Sequence, residues 1–184
     1  MPDVVTFEEF PKIARLNRVC VISEKIDGTN GQIIITEEGD VQAASRSCLI
    51  YPDRDNHGFA AWVRDNKEDL LNLGPGRHFG EWWGSGIQRK YGLTGTDKRF
   101  SLFNTERWGD DEVRPACCGV VPKLYEGFFH SAEVERCLDD LRTNGSRAAP
   151  GFMKPEGVII YHVAARTYFK VTLERDSEWK GKSQ

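Results

Sequence analysis

The sequence predicts an antiparallel α+β fold, sheet-rich with few helices. Three observations lead there: β-rich segments outnumber helical ones, their order is mixed rather than alternating, and short Gly-containing turns join several of them.

In chain order, Thr6 and Glu9 have the spacing of a capping box and predict a short helix over 7–15. Residues 18–25, 31–36 and 40–45 are rich in β-branched side chains. They are separated by Asp27-Gly28 and Glu38-Gly39-Asp40, so they read as an antiparallel meander. Apolar residues recur on a helical period over 58–73, and Gly74-Pro75-Gly76 stops that helix. Segments 77–83 and 99–107 read as strands joined by a Gly-rich loop, and 122–129 reads as another. Ser131 is expected to cap a helix running to about 142, with Asn144-Gly145 as its stop. That makes the sequon Asn144-Gly145-Ser146 a helix terminus rather than a sugar site. Segments 157–162 and 167–173 form a closing hairpin.

Composition fits an ordinary globular domain. The chain has 184 residues, 39% hydrophobic and 29% charged. No run approaches the ~20 apolar residues of a membrane span, and the acidic start MPDVVTFEEF lacks an export signal. The five cysteines are scattered, without a C-x-x-C pair or nearby histidines. They predict reduced thiols in a cytoplasmic protein rather than a zinc site. The net charge of −3 excludes coating a nucleic acid by bulk charge. A polyanion would need a local patch, for which Arg89-Lys90, Lys98-Arg99 and the tail 179–184 are candidates; such clusters also occur as plain solvated faces.

One charge is out of place. Lys25 ends an apolar strand and is followed at once by Asp27-Gly28. An amine is nucleophilic only when deprotonated, and free lysine has a pKa near ~10.4. Desolvation at a strand end and a nearby cation both lower the pKa of an amine, and a tight Asp-Gly turn lets backbone approach a phosphate. Taken alone, K-x-D-G fits a surface hairpin better than a reactive site.

Five further segments extend the pattern. Lys25-x-Asp27-Gly28-x-Asn30 resembles the nucleophile motif of the covalent nucleotidyltransferases, the polynucleotide ligases and mRNA capping enzymes. Ser45-Arg46-Ser47, Phe79-Gly80-Glu81-Trp82-Trp83-Gly84, Phe100-Ser101-Leu102-Phe103-Asn104, Lys154-Pro155-Glu156-Gly157 and Phe169-Lys170-Val171-Thr172 resemble the other motifs of that superfamily, in order. Asn30, where DNA ligases tend to carry Arg, is similar to the ATP-dependent RNA ligases of the phage double-strand and trypanosome editing type.

The resemblance implies an ATP-grasp-like nucleotidyltransferase fold using ATP and Mg2+, with Mn2+ as an alternative. It implies Lys25 as the nucleophile that becomes lysyl-AMP. Glu24, Arg46, Glu81, Phe103 (with Phe100 second), Glu156 and Lys170 would contact the nucleotide. Asp27 and Glu156 would hold the metal, and Asn30 would face the nucleic acid. The implied substrates are RNA 5′-phosphate and 3′-OH ends. A DNA ligase, a capping-type guanylyltransferase and a nucleotide-binding relative without turnover are the competing readings. Glu81 also fits a strand-edge carboxylate, Arg46 a surface ion pair and Phe103 a core aromatic; Trp82 and Trp83 read as structural. Tyr161 stands where relatives carry a basic residue, and Thr172 replaces the second lysine of K-x-K, which removes positive charge near the phosphates. Only about a dozen residues follow Thr172. The chain is therefore expected to be a single stand-alone domain over 1–184, without the carboxy-terminal domain of larger ligases, which a separate partner protein could supply.

Overall fold

Buried Cys20, Ile22 and Glu24 alternate with the more open Val21, Ser23 and Lys25, so Val19–Lys25 forms a strand, β1, in the computed structural model, which describes residues 6–174. In chain order there follow β2 (Thr29–Ile35), β3 (Val41–Ala44), β4 (Leu49–Ile50), α1 (Phe59–Asp65), α2 (Lys67–Leu70), β5 (Gly76–Gly84), β6 (Lys98–Leu102), α3 (Thr105–Trp108), β7 (Cys118–Val120), β8 (Lys123–Phe128), α4 (Ser131–Asn144), β9 (Gly157–His162) and β10 (Thr167–Thr172). The strands make two sheets, ordered β10-β9-β1-β8 and β4-β3-β2-β5-β6-β7. Every pairing is antiparallel except the parallel contact of β6 with β7. This is the expected antiparallel α+β class.

The expected meander is only partly formed. β2 and β3 are a hairpin, but β1 pairs with β8 and β9 in the other sheet. Ile26-Asp27-Gly28 is therefore a crossover between sheets rather than a hairpin turn. Gly28 permits it by close approach: a Cβ there would lie 2.4 Å from the Trp82 carbonyl and 2.8 Å from the Trp83 Cβ. The two sheets thus meet where the nucleophile candidate ends its strand.

Helices cover the outer faces. In α4, Val134, Cys137, Leu138 and Leu141 fall at helical spacing and pack on Cys20, Ile22, Val158 and Ile160. Gly145, at φ 77, ends α4 as expected, but His130 is the N-cap, Ser131 is already helical, and no side chain caps the helix. Phe59, Ala60 and Val63 of α1 pack with Ile33, Trp82, Phe100 and Leu102 of the six-stranded sheet. The single helix expected over 58–73 is divided at Asn66 and closes in a 3-10 turn, Leu71–Leu73. Between the sheets, Ile26, Trp83, Tyr91, Val121 and Ala149 form a third cluster beside the crossover.

Two further expectations fail for physical reasons. Residues 6–15 form no helix, and Phe7, Phe10 and Ile13 lie exposed. Pro11 removes a backbone donor and restricts Phe10, and without a packed face the capping signal cannot sustain a helix. The strand expected over 99–107 stops at Leu102, because the Asn104 side chain accepts the Arg107 N–H and starts α3. All five cysteines are free, as expected. Among the described residues no helix is long and apolar enough to cross a membrane.

Candidate active site

Strand alternation fixes which residues of β1 can do chemistry. Glu24 points to the buried side, where its carboxylate accepts hydrogen bonds from Ser146 Oγ at 2.6 Å, Arg147 N at 2.7 Å and Ala148 N at 2.9 Å. Burial pushes its pKa up, and the three donors and Arg147 offset part of that. Those carboxylate oxygens hold the 146–148 loop. Lys25 points to the other face, and its Nζ lies 2.6 Å from Glu156 Oε2.

Glu156 reaches Lys25 because the next residue is glycine. Gly157 pairs with Lys25 across β1 and β9 and sits at φ 152; a Cβ on it would lie 2.2 Å from the Val171 carbonyl of β10. Lys170 pairs with Ile159, which pairs with Ser23, so its Cα stands on the Lys25 face, two strands away. It is exposed.

The six-stranded sheet and its loops grip the crossover from the other side. The Asp27 N–H donates to the Tyr91 hydroxyl at 2.8 Å, and Arg89 Nε donates to Asp27 Oδ2 at 3.1 Å. The Gly28 N–H donates to Glu81 Oε1 at 3.0 Å. Burial pushes the Glu81 carboxyl up to about 7. Lys25 and the Gly28 N–H oppose that shift, while Glu156 and Asp27 add to it. Lys25, Asp27, Glu81 and Glu156 therefore share one electrostatic environment, and Glu81 is no isolated strand-edge carboxylate.

The remaining candidates are less closely joined. Asn30 is half-buried opposite Glu81 on β2. Phe103 is half-buried against the cluster that contains Ile26, Trp83 and Tyr91, and its N–H bonds to the Phe79 carbonyl. Phe100, the second choice for stacking, is fully buried 5.1 Å from Phe59, so it belongs to the core. Arg46 is exposed in the β3–β4 connection, and among the described residues no hydrogen bond or ion pair joins it to the cluster or to a surface acid. The basic patches are also largely committed. Arg89 pairs with Asp27 and Glu174, Lys98 donates to the His57 carbonyl, and Arg99 pairs with Asp97. The tail 179–184 lies outside the described residues.

Sequence reasoning missed Tyr91, Ser146 and the partner of Arg89. Arg89 had a signal, as half of a basic pair; Tyr91 had none, since it meets Asp27 from 64 positions away. The oxygen-only set of Asp27 and Glu156 suits a hard divalent cation. Among the described residues no group of three or more His, Cys, Asp or Glu could hold a metal directly. Two cavities of about 390 and 380 Å3 open nearby, one lined by Tyr91, Leu93 and Phe152 and one by Trp83, Cys117 and Cys118. Neither is lined by Lys25, Asp27, Glu81, Glu156 or Lys170.

Comparison with known proteins follows the same line. The family model described as RNA ligase matches residues 18–172. Among solved structures, a mutant Naegleria gruberi RNA ligase with AMP and Mn is similar at TM-score 0.62 and 19% identity, over 85% of this chain and 50% of that one. A second mutant, with ATP and Mn, gives 0.61 and 18% over 86% and 51%, and a third, also with ATP and Mn, gives 0.59 and 16% over 86% and 51%. At such identities the likeness is one of fold, and the chain spans about half the length of these structures. Comparison with curated proteins found no match.

The raised Glu81 pKa has a signed consequence. Between about pH 4.5 and 7 the folded protein keeps a proton that the unfolded chain has released, so this group's contribution to stability falls as pH rises through that window. The stability difference between wild type and Glu81→Gln should change by up to about 3 kcal/mol across it. Denaturant melts at several pH values measure this, and a flat difference would refute the raised Glu81 pKa.

Proposed function

The chain belongs to the RNA ligase family, and on that premise we propose that it is an ATP-dependent RNA ligase that works through a lysyl-AMP intermediate. The observation that carries the reading is the Lys25–Glu156 contact of 2.6 Å at the mouth of the two-sheet junction, with Asp27 and Glu81 beside it. A positioned amine and a carboxylate able to take its proton suit nucleotidyl transfer to lysine.

In the first step the Lys25 amine attacks the α-phosphate of ATP. A P–N bond forms, the bond to the β-phosphate oxygen breaks, and pyrophosphate leaves. Glu156, already hydrogen-bonded to Nζ, is the group within reach of the departing proton. The AMP is then passed to an RNA 5′-phosphate. A 3′-hydroxyl finally attacks that activated phosphate, making the phosphodiester and freeing AMP. Each step is phosphoryl transfer, so positioning and charge neutralisation carry the catalysis.

Roles follow from position. Asp27 and Glu156 would hold Mg2+ or Mn2+, which when bound offsets charge on the α-phosphate. Lys170, on the same face as Lys25, offers a point charge to phosphate, and Arg46 would join it when substrate is present. Glu81 would accept from the ribose hydroxyls, and Phe103 would stack on the purine. Glu24 would act indirectly, by fixing the strand that ends in Lys25. The chain is read as one nucleotidyltransferase domain.

Incubation with labelled ATP and Mg2+ should leave label on the denatured protein, GTP should not substitute, and Lys25→Ala should abolish the label while the fold stays intact. Labelling of Lys25→Ala would overturn the assignment, and comparable labelling by GTP would move the chain towards the capping enzymes.

The choice of RNA rests on Asn30, whose amide both donates and accepts and so suits a 2′-hydroxyl. Asn30→Ala should form lysyl-AMP nearly as well as wild type yet seal more slowly. Matched all-RNA and all-DNA nicks should be sealed at different rates, the RNA faster. Equal or faster sealing of DNA would sink the RNA assignment, and loss of labelling would put Asn30 in the ATP site.

A further inference from the structure

The face of the four-stranded sheet that carries Lys25 also carries two tyrosines that the chemistry above leaves unused. Tyr161 of β9 and Tyr168 of β10 are direct cross-strand partners, with ring centroids 4.7 Å apart and planes at 34°. Tyr168 is 63% exposed. Tyr161 pairs with Val21 of β1, four residues before Lys25, so the pair lies about 13 Å from the nucleophile at ~3.3 Å per residue. Tyr168 and Lys170 are two apart on β10, an edge strand, and share a side. Lys170 has no ion-pair partner among the described residues, and exposed Arg166 lies in the turn before β10.

A cross-strand aromatic pair can simply brace a hairpin. That role does not call for a largely exposed ring beside an exposed lysine on the face that holds the reacting amine. Exposed aromatic rings interleaved with basic side chains are the arrangement that binds unpaired nucleotides: the cations meet the backbone and the rings take the bases.

We propose that Tyr161 and Tyr168 form a stacking platform for an unpaired base of the RNA strand, near the phosphate to be sealed. The inference rests on the ligase reading and deepens it. A base inside a duplex is already stacked on its neighbours, so a platform selects a substrate with a single-stranded or overhanging end over a fully paired nick. Lys170 approaches the backbone beside that base, and adenylylation of Lys25 by ATP does not involve the platform.

The test uses the full chain as wild type, Tyr168→Ala and Tyr168→Phe. Labelling with ATP is measured first, as a check on fold and first step, and should be equal in all three. Affinity for a 5′-phosphorylated single-stranded oligoribonucleotide is then measured, intact and with one abasic site moved through the first few nucleotides. Tyr168→Ala should bind the intact RNA about 5- to 150-fold more weakly, the range for loss of one base–aromatic stack, and Tyr168→Phe should bind like wild type. Wild type should lose a similar factor at one abasic position, to which Tyr168→Ala should be indifferent. Normal labelling with unchanged RNA affinity in Tyr168→Ala would overturn the proposal, leaving the pair as a brace or a protein-docking face. Absence of labelling or of RNA binding in wild type would instead bring down the ligase reading, and the platform with it.

Discussion

An ammonium and a carboxylate 2.6 Å apart, Lys25 and Glu156, close the gap between the end of β1 and the start of β9. Their side chains keep only 21% and 18% of their exposure, so this is no surface pair of negligible worth. Each has given up part of its hydration, and removal of either leaves the other poorly compensated. Much of the architecture serves this contact. β9 must lie beside β1, Gly157 must take a backbone conformation that suits glycine, and β10 must pass close enough to exclude a Cβ. The same contact presents the amine at a fixed place with a proton acceptor attached.

The crossover supplies the second constraint. The chain changes sheets at Ile26-Asp27-Gly28, and the backbone N–H groups of Asp27 and Gly28 are held by Tyr91, in the loop after β5, and by Glu81 of β5. Arg89 adds a charge contact to Asp27 and a hydrogen bond to the Lys154 carbonyl, near Glu156. A loop after β5 thus touches both segments that flank the nucleophile. This packing buries Glu81, which is the main reason its carboxyl holds its proton, and the nearby Glu156 and Asp27 add to the effect. The cost of gathering carboxylates is reduced by cations and N–H donors placed among them.

What could be read in the sequence was whatever is contiguous. Lys25-x-Asp27-Gly28, the Glu81 and Glu156 segments and the closing hairpin each carry their own local pattern, and their order along the chain points to one chemistry. The sheet switch could not be read, because Asp-Gly suits a tight hairpin and a crossover alike; only the packing of Gly28 on Trp82 and Trp83 decides. Tyr91 was invisible for a related reason, since it sits at positive φ between Lys90 and Gly92 in a loop with no period. Local capping chemistry misled at Thr6 and Glu9, where no partner surface buries Phe7 or Phe10. Glu24, next to Lys25 in sequence, has its side chain on the opposite face of the strand, where Ser146 donates to it.

The central claim is that Glu156 holds and prepares the Lys25 amine, and a double-mutant cycle on stability tests it most directly. Lys25→Met, Glu156→Gln and the double variant would be compared with wild type by denaturant unfolding at neutral pH. A direct, partly buried pair predicts a coupling energy of about 0.5–3 kcal/mol. Additive single effects, with no coupling beyond error, would contradict the account.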